Sequence, residues 1–190
     1  NQLWRFNLSS TLTGHHQTAL ITGASSGIGK ALTYEFASQG YQLILAARSI
    51  AKMKSLATEL QKKFAVTVIV IEADLETPNG AALLHADIKS RGIVLSALVN
   101  NAGYGTFGEF KNAELTKEVA MMQLNMNSVV ALTRLFLPDL LATQGKILNL
   151  ASTAATRASL SFTRASPARK SSARVAAVSK PASFSAPTKL

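Results

Sequence analysis

Gly23, Gly27 and Gly29 stand together in TALITGASSGIGKAL, residues 18–32, after a short apolar run and before a helical pattern. Glycine lets a chain turn tightly and lets its backbone approach a ligand closely. A helix that begins just beyond such a turn offers unpaired N–H groups and a partial positive charge to a pyrophosphate. Three glycines can also form a plain turn; the strand before them and the helix after them point to nucleotide binding. On this reading Gly23, Ser25, Ser26, Gly27, Ile28 and Gly29 form a phosphate cradle. A second candidate is Arg48, in AARS at the end of the next apolar run, where a fold of this kind meets the adenosine ribose. An acid there would bind both ribose hydroxyls, whereas a guanidinium suits a 2′-phosphate by charge and by paired hydrogen bonds. Arg48 therefore favours NADP over NAD, the plainer alternative being a solvated surface arginine. The chain holds no cysteine, which excludes disulfides and thiolate metal sites, and no metal site is expected.

Strands and helices must position these groups. Residues 18–21 form a short apolar run that stops at Gly23, as a buried parallel strand does. Ile28, Leu32 and Phe36 then fall four apart on one helical face, and Gly40 ends that helix. YQLILAA, residues 41–47, reads as a second strand, and Ile50, Met53, Leu56, Leu60 and Phe64 repeat at helical spacing. VTVIVIEA, residues 66–73, is β-branched and reads as a third strand. A weaker helix is predicted over 79–90, with Pro78 suited to its first turn. IVLSALVNNAG, residues 93–103, supplies a fourth strand entering a loop with glycines. One long helix is predicted over 114–137 and a fifth strand over KILNLAS, residues 146–152. Strands alternating with helices of this length predict an α/β fold, a Rossmann-type doubly wound parallel sheet of about five strands.

The formal charge of +10 is unevenly placed. Residues 1–155 carry 13 Lys and Arg against 10 Asp and Glu, whereas residues 156–190 carry seven bases and no acid. The basic balance thus belongs mostly to the tail. That tail is rich in Ser, Ala and Pro, shows no hydrophobic period and is predicted to be disordered. Residues 1–17 read as a lead-in without the charged-then-apolar order of a signal peptide. No apolar run is long enough to span a bilayer, so a cytoplasmic protein with no membrane partner is expected.

TGASSGIG, AARS, ADL (73–75), NNAG (100–103), LNMNS (124–128) and KILNLAS occur in the order and spacing of the short-chain dehydrogenases/reductases. Over residues 18–155 the chain resembles the classical NADP-dependent members of that family. The resemblance implies that Asp74 contacts the adenine and that Asn101, Ala102 and Gly103 line the cofactor. It also implies interconversion of a small-molecule carbonyl and alcohol, and a homodimer or tetramer. In the family a Tyr delivers the proton, a Lys four residues later lowers its pKa, a Ser positions the carbonyl and an Asn holds a relay water. Asn125 and Ser152 match the last two of these positions, but the only tyrosines are Tyr34, Tyr41 and Tyr104, all upstream of Ser152. The Rossmann-type domain is therefore expected to be incomplete after its fifth strand, with that strand an open sheet edge and the chain inactive.

Three readings of residues 156–190 stand. The family's Tyr-Ala-Ser-Lys element, read one base later, can give Thr-Arg-Ala-Ser, and Thr163-Arg164-Ala165-Ser166 occurs near where that element belongs. The segment is then out of frame. The second reading is a genuine basic extension that neutralises phosphates, which would make the chain a non-catalytic nucleotide-binding module with a nucleic-acid-associating tail. Few aromatics interleave the bases, and a nucleic-acid partner is not the expected outcome. The third is an inert disordered end.

Overall fold

A continuous apolar run can serve as a strand only if both faces of its sheet are covered. The computed structural model describes residues 17–106, 110–151 and 160–164, and its strands meet that condition. In chain order the elements are β1 (Thr18–Thr22), α1 (Gly27–Ser38), β2 (Gln42–Ala47), α2 (Ile50–Phe64), β3 (Val68–Glu72) and α3 (Gly80–Ser90). They continue with β4 (Ala97–Asn100), α4 (Leu115–Met122), α5 (Ser128–Ala142), β5 (Lys146–Leu150) and β6 (Leu160–Arg164). The sheet order is β3-β2-β1-β4-β5-β6, with every pair from β3 to β5 parallel.

Side chains of a strand alternate between faces, and here the alternation sorts two cores. Leu20, Ile44, Leu98 and Ile147 join Leu84, Ile88, Leu132, Phe136 and Leu140 on the α3 and α5 side. Ala19, Ile21, Leu43, Leu45, Val99 and Leu148 join Ala37, Met53, Leu56 and Leu60 on the α1 and α2 side. The doubly wound architecture expected from the alternating pattern is the one observed.

Three details depart from the sequence reading. The fully buried face of α1 is Gly29, Thr33 and Ala37, with Leu32 and Phe36 partly buried against the same core, whereas Ile28 of the apolar set is 65% exposed. Gly29 stands on this face because the start of the helix lies against the turn that precedes it, where a side chain would collide with backbone. The single long helix is interrupted by a π-helical turn, Gln123–Asn127, between α4 and α5. The buried Ser128 hydroxyl donates to the Leu124 carbonyl (2.6 Å) within this turn, a back-bond that perturbs regular helices.

The third departure is β6, which pairs antiparallel with β5 from Lys146↔Arg164 to Leu150↔Leu160. The expectation that β5 is an open edge is thus corrected. An edge strand presents a row of unpaired N–H and C=O groups to any returning extended segment. Such pairing uses backbone groups, so residues 160–164 need no hydrophobic period to form it.

Phe136 is fully buried against Leu132, Leu140 and, edge-on, the His85 ring at 4.9 Å. Phe136→Ala should lower stability by about 3–5 kcal/mol, read as a shift of the urea midpoint at unchanged slope.

Candidate functional site

The C-terminal ends of β1, β2, β3 and β4 share one edge of the sheet, and the strand order reverses between β1 and β4. Open α/β sheets bind ligands in the crevice at such a reversal. Thr22, 1% exposed at the end of β1, closes this crevice from below. Its hydroxyl donates to the Val99 carbonyl (3.1 Å) and accepts from the Asn101 and Ala102 N–H groups (3.0 Å each). The Asn101 amide returns the bond, donating to the carbonyls of Thr22 (2.9 Å) and Gly23 (3.2 Å).

The glycines follow from this contact. Gly23 has φ +65°, and a Cβ there would lie 2.8 Å from the Ala102 Cα and 2.9 Å from the Asn101 Nδ2. At Gly29 a Cβ would collide with Asn101 Nδ2 and the Gly23 carbonyl oxygen. Gly27 differs: its φ is +55° and no heavy atom lies within 4 Å of a Cβ placed on it. Gly23 and Gly29 therefore let protein pack on protein, while Gly27 presents bare backbone to open space. Ser26, the extended N-cap of α1, makes no side-chain cap hydrogen bond. The first N–H groups of α1 are then free of a capping side chain, and Ser25, Ser26 and Ile28 border them. A pyrophosphate fits this cradle by charge and by donor geometry.

On the same edge of the sheet, Arg48 follows β2 and Asp74 follows β3. The Arg48 guanidinium forms an ion pair with Glu76 (2.7 Å). Asp74 is exposed, and its Oδ1 accepts the Glu76 N–H (3.0 Å). Arg48 thus has a partner in Glu76, while its own side chain remains largely exposed.

Asn125 lies in the π-helical turn and clasps the loop after β4. Its Nδ2 donates to the Tyr104 carbonyl (2.8 Å) and its Oδ1 accepts the Tyr104 N–H (3.2 Å). A Cβ on Gly103 would lie 2.9 Å from that Oδ1. The π turn brings Asn125 to this loop, and such turns recur at functional sites. Asn101, Ala102, Gly103 and Asn125 are therefore brought together, beside the cradle. Ser152 lies outside the described residues, as do residues 165–190 of the tail; Thr163 and Arg164 lie in β6 opposite Ile147 and Lys146.

Sequence reasoning passed over Thr22 as a site residue, although it is the first residue of TGASSGIG. It also passed over Asn100, which is buried and donates to Asn149 (2.8 Å) and Thr133 (3.2 Å), tying β4 to β5 and α5. Glu76 carried no signal, since only the folded chain sets it against Arg48. Among the described residues no group of three or more His, Cys, Asp or Glu could hold a metal, and no helix is long and apolar enough to cross a membrane.

The crevice, its glycine cradle and its clasped loop are those of a dinucleotide-binding oxidoreductase, and comparison with known proteins agrees. The family model for short chain dehydrogenase matches residues 17–168. The chain is 36% identical over 155 residues to 11-beta-hydroxysteroid dehydrogenase 1A of Arabidopsis thaliana, covering 80% of this chain and 44% of that protein. It is 34% identical over 142 residues to the NADP-dependent 3-hydroxy acid dehydrogenase of Schizosaccharomyces pombe, covering 73% of this chain and 54% of that protein. L-sorbose reductase from Gluconobacter frateurii, solved with NADPH and L-sorbose, superposes with a TM-score of 0.69 at 33% identity, covering 74% of this chain and 54% of the reductase.

The chain belongs to the short-chain dehydrogenase/reductase family of oxidoreductases. It spans about half the length of the curated relatives it matches. The comparisons favour this oxidoreductase assignment over a nucleotide-binding module with a nucleic-acid-associating tail.

Thr22→Val keeps the side-chain shape and removes every hydrogen bond of the hydroxyl, leaving two N–H groups without their acceptor. A loss of about 2–4 kcal/mol in denaturant unfolding is expected, with Thr22→Ser restoring most of it.

Proposed function

We propose that the chain binds NADP(H) in preference to NAD(H), as the cofactor module of an enzyme that interconverts a carbonyl and an alcohol. The observation that carries this reading is that the open turn at Gly27 and the cation Arg48 follow the C-terminal ends of the neighbouring strands β1 and β2. Gly27 and the first turn of α1 would receive the pyrophosphate, Asp74 the adenine, and Arg48 a 2′-phosphate. Asn101, Ala102 and Gly103 would line the path toward the nicotinamide. The S. pombe relative is described as NADP-dependent and the sorbose reductase was solved with NADPH, which supports the same preference.

The bound nicotinamide would supply or accept the hydride. The chain's own task is then to deliver a proton to the developing alkoxide, and here it falls short. Tyr41 is buried in the core, Tyr34 lies on α1, and the Tyr104 hydroxyl donates to the Lys117 carbonyl (3.4 Å). No lysine stands four residues after any of them. These 190 residues by themselves are therefore proposed to bind cofactor without catalysing turnover.

Calorimetric titration of the full chain tests the reading. Wild type should bind NADPH more tightly than NADH. Arg48→Ala should weaken NADPH by about 10–100-fold, the worth of a charge-assisted bond, and change NADH by less than about two-fold. Equal affinities in the wild type, or steady oxidation of NADPH with small aldehydes and ketones, would overturn it.

We further propose that the chain self-associates through α4 and α5. Leu115, Val119, Met122, Met126 and Val130 recur three or four residues apart and are 53–76% exposed, an apolar stripe of the kind that marks an interface. Met126→Glu should move the mass measured by light scattering from a dimer or tetramer to a monomer.

A further inference from the structure

Arg48 and Glu76 are unequal partners. The Glu76 side chain is 21% exposed, whereas that of Arg48 is 62% exposed. The Glu76 backbone is tied down as well: its N–H donates to Asp74 Oδ1 (3.0 Å), and the Thr77 hydroxyl donates to the Asp74 carbonyl (2.9 Å). Gly80 packs so closely on that same carbonyl that a Cβ there would collide with it. The loop backbone that carries Glu76 is therefore tied down, and the guanidinium is the longer and more exposed of the two arms.

This matters because Arg48 is the cation on which the preference for a 2′-phosphate rests. A carboxylate at 2.7 Å occupies one of its N–H donors and offsets its charge. Asp74 adds a second negative charge on the same loop. A phosphate arriving at Arg48 must share the guanidinium with Glu76, or draw it away, and in both cases it comes near a like charge carried on a tied-down loop. A free ribose hydroxyl meets neither cost.

We propose that Glu76 is a specificity-determining residue that competes with a 2′-phosphate for Arg48 and thereby limits the preference for NADPH over NADH. The inference rests on the cofactor reading above and deepens it. Arg48 confers the preference and Glu76 moderates it, so the chain retains measurable affinity for both nucleotides.

Glu76→Gln tests this, because it keeps the shape and removes the charge. Titration calorimetry on the full chain should show NADPH binding tightened by about three- to ten-fold, with NADH changed by less than about two-fold; the gain is that of releasing a partly exposed ion pair. In an Arg48→Ala background most of that gain should vanish, since the arm it released is gone. A thermal melt of each variant verifies the fold, and Glu76→Ala provides a second route to the same loss of charge. An unchanged or weaker NADPH affinity in both Glu76 variants, with wild type still preferring NADPH, overturns the role of Glu76 alone. Wild type that binds neither nucleotide overturns the cofactor reading and this inference with it.

Discussion

The hydroxyl of Thr22 donates to one carbonyl of β4 and accepts two N–H groups from the residues that follow it, while Asn101 bonds back to the end of β1. This exchange joins the two strands where the sheet order reverses, and it does so with little solvent to compete for the bonds. The rest of the crevice depends on it. With Asn101 drawn over Thr22 and Gly23, neither Gly23 nor Gly29 can carry a side chain. With those positions bare, α1 settles close to the sheet on Gly29, Thr33 and Ala37, and its N-terminus is aimed into the gap. The bare turn proposed to receive a phosphate is thus a by-product of tight packing between β1, β4 and α1, with Gly27 left as the residue that faces outward.

The loop after β4 is held from two sides. Thr22 accepts its first N–H groups, and Asn125 clasps the peptide of Tyr104 with both ends of its amide. The π-helical turn at Gln123–Asn127 accounts for the second attachment, since a helix that changes its winding can turn a polar residue out of register with its apolar face. The rim formed by Arg48, Asp74 and Glu76 is built differently. There the groups are charged and partly solvated, so their arrangement is easier to exchange for a ligand's than a buried hydrogen bond would be.

Much of this was legible in the sequence for identifiable reasons. The runs in β1, β2 and β3 are continuous and apolar because both sheet faces are covered, and such runs stand out between helical repeats. Gly27 and Arg48 were legible because backbone bareness and positive charge are properties of the residue itself. The packing face of α1 was legible only in part, because apolar spacing found Leu32 and Phe36, which pack on the core, but also Ile28, which faces out, and passed over the small residues Gly29, Thr33 and Ala37. β6 was not legible either, since strand pairing at an edge draws on backbone groups that every residue carries.

Sequence by itself determined the class: alternating elements, the glycine turn between strand and helix, and six ordered motifs define a dinucleotide-binding oxidoreductase fold. It also determined which side chains are available, including the absence of any tyrosine after Tyr104. Tertiary structure alone decided the partnerships. Thr22 meets Asn101, Asn125 meets Tyr104 and Glu76 meets Arg48 across separations in the chain that no local pattern encodes. The physical reason is the same in each case. A hydrogen bond or ion pair depends on distances of about 3 Å, and between remote segments those distances are set by how strands pair and helices pack.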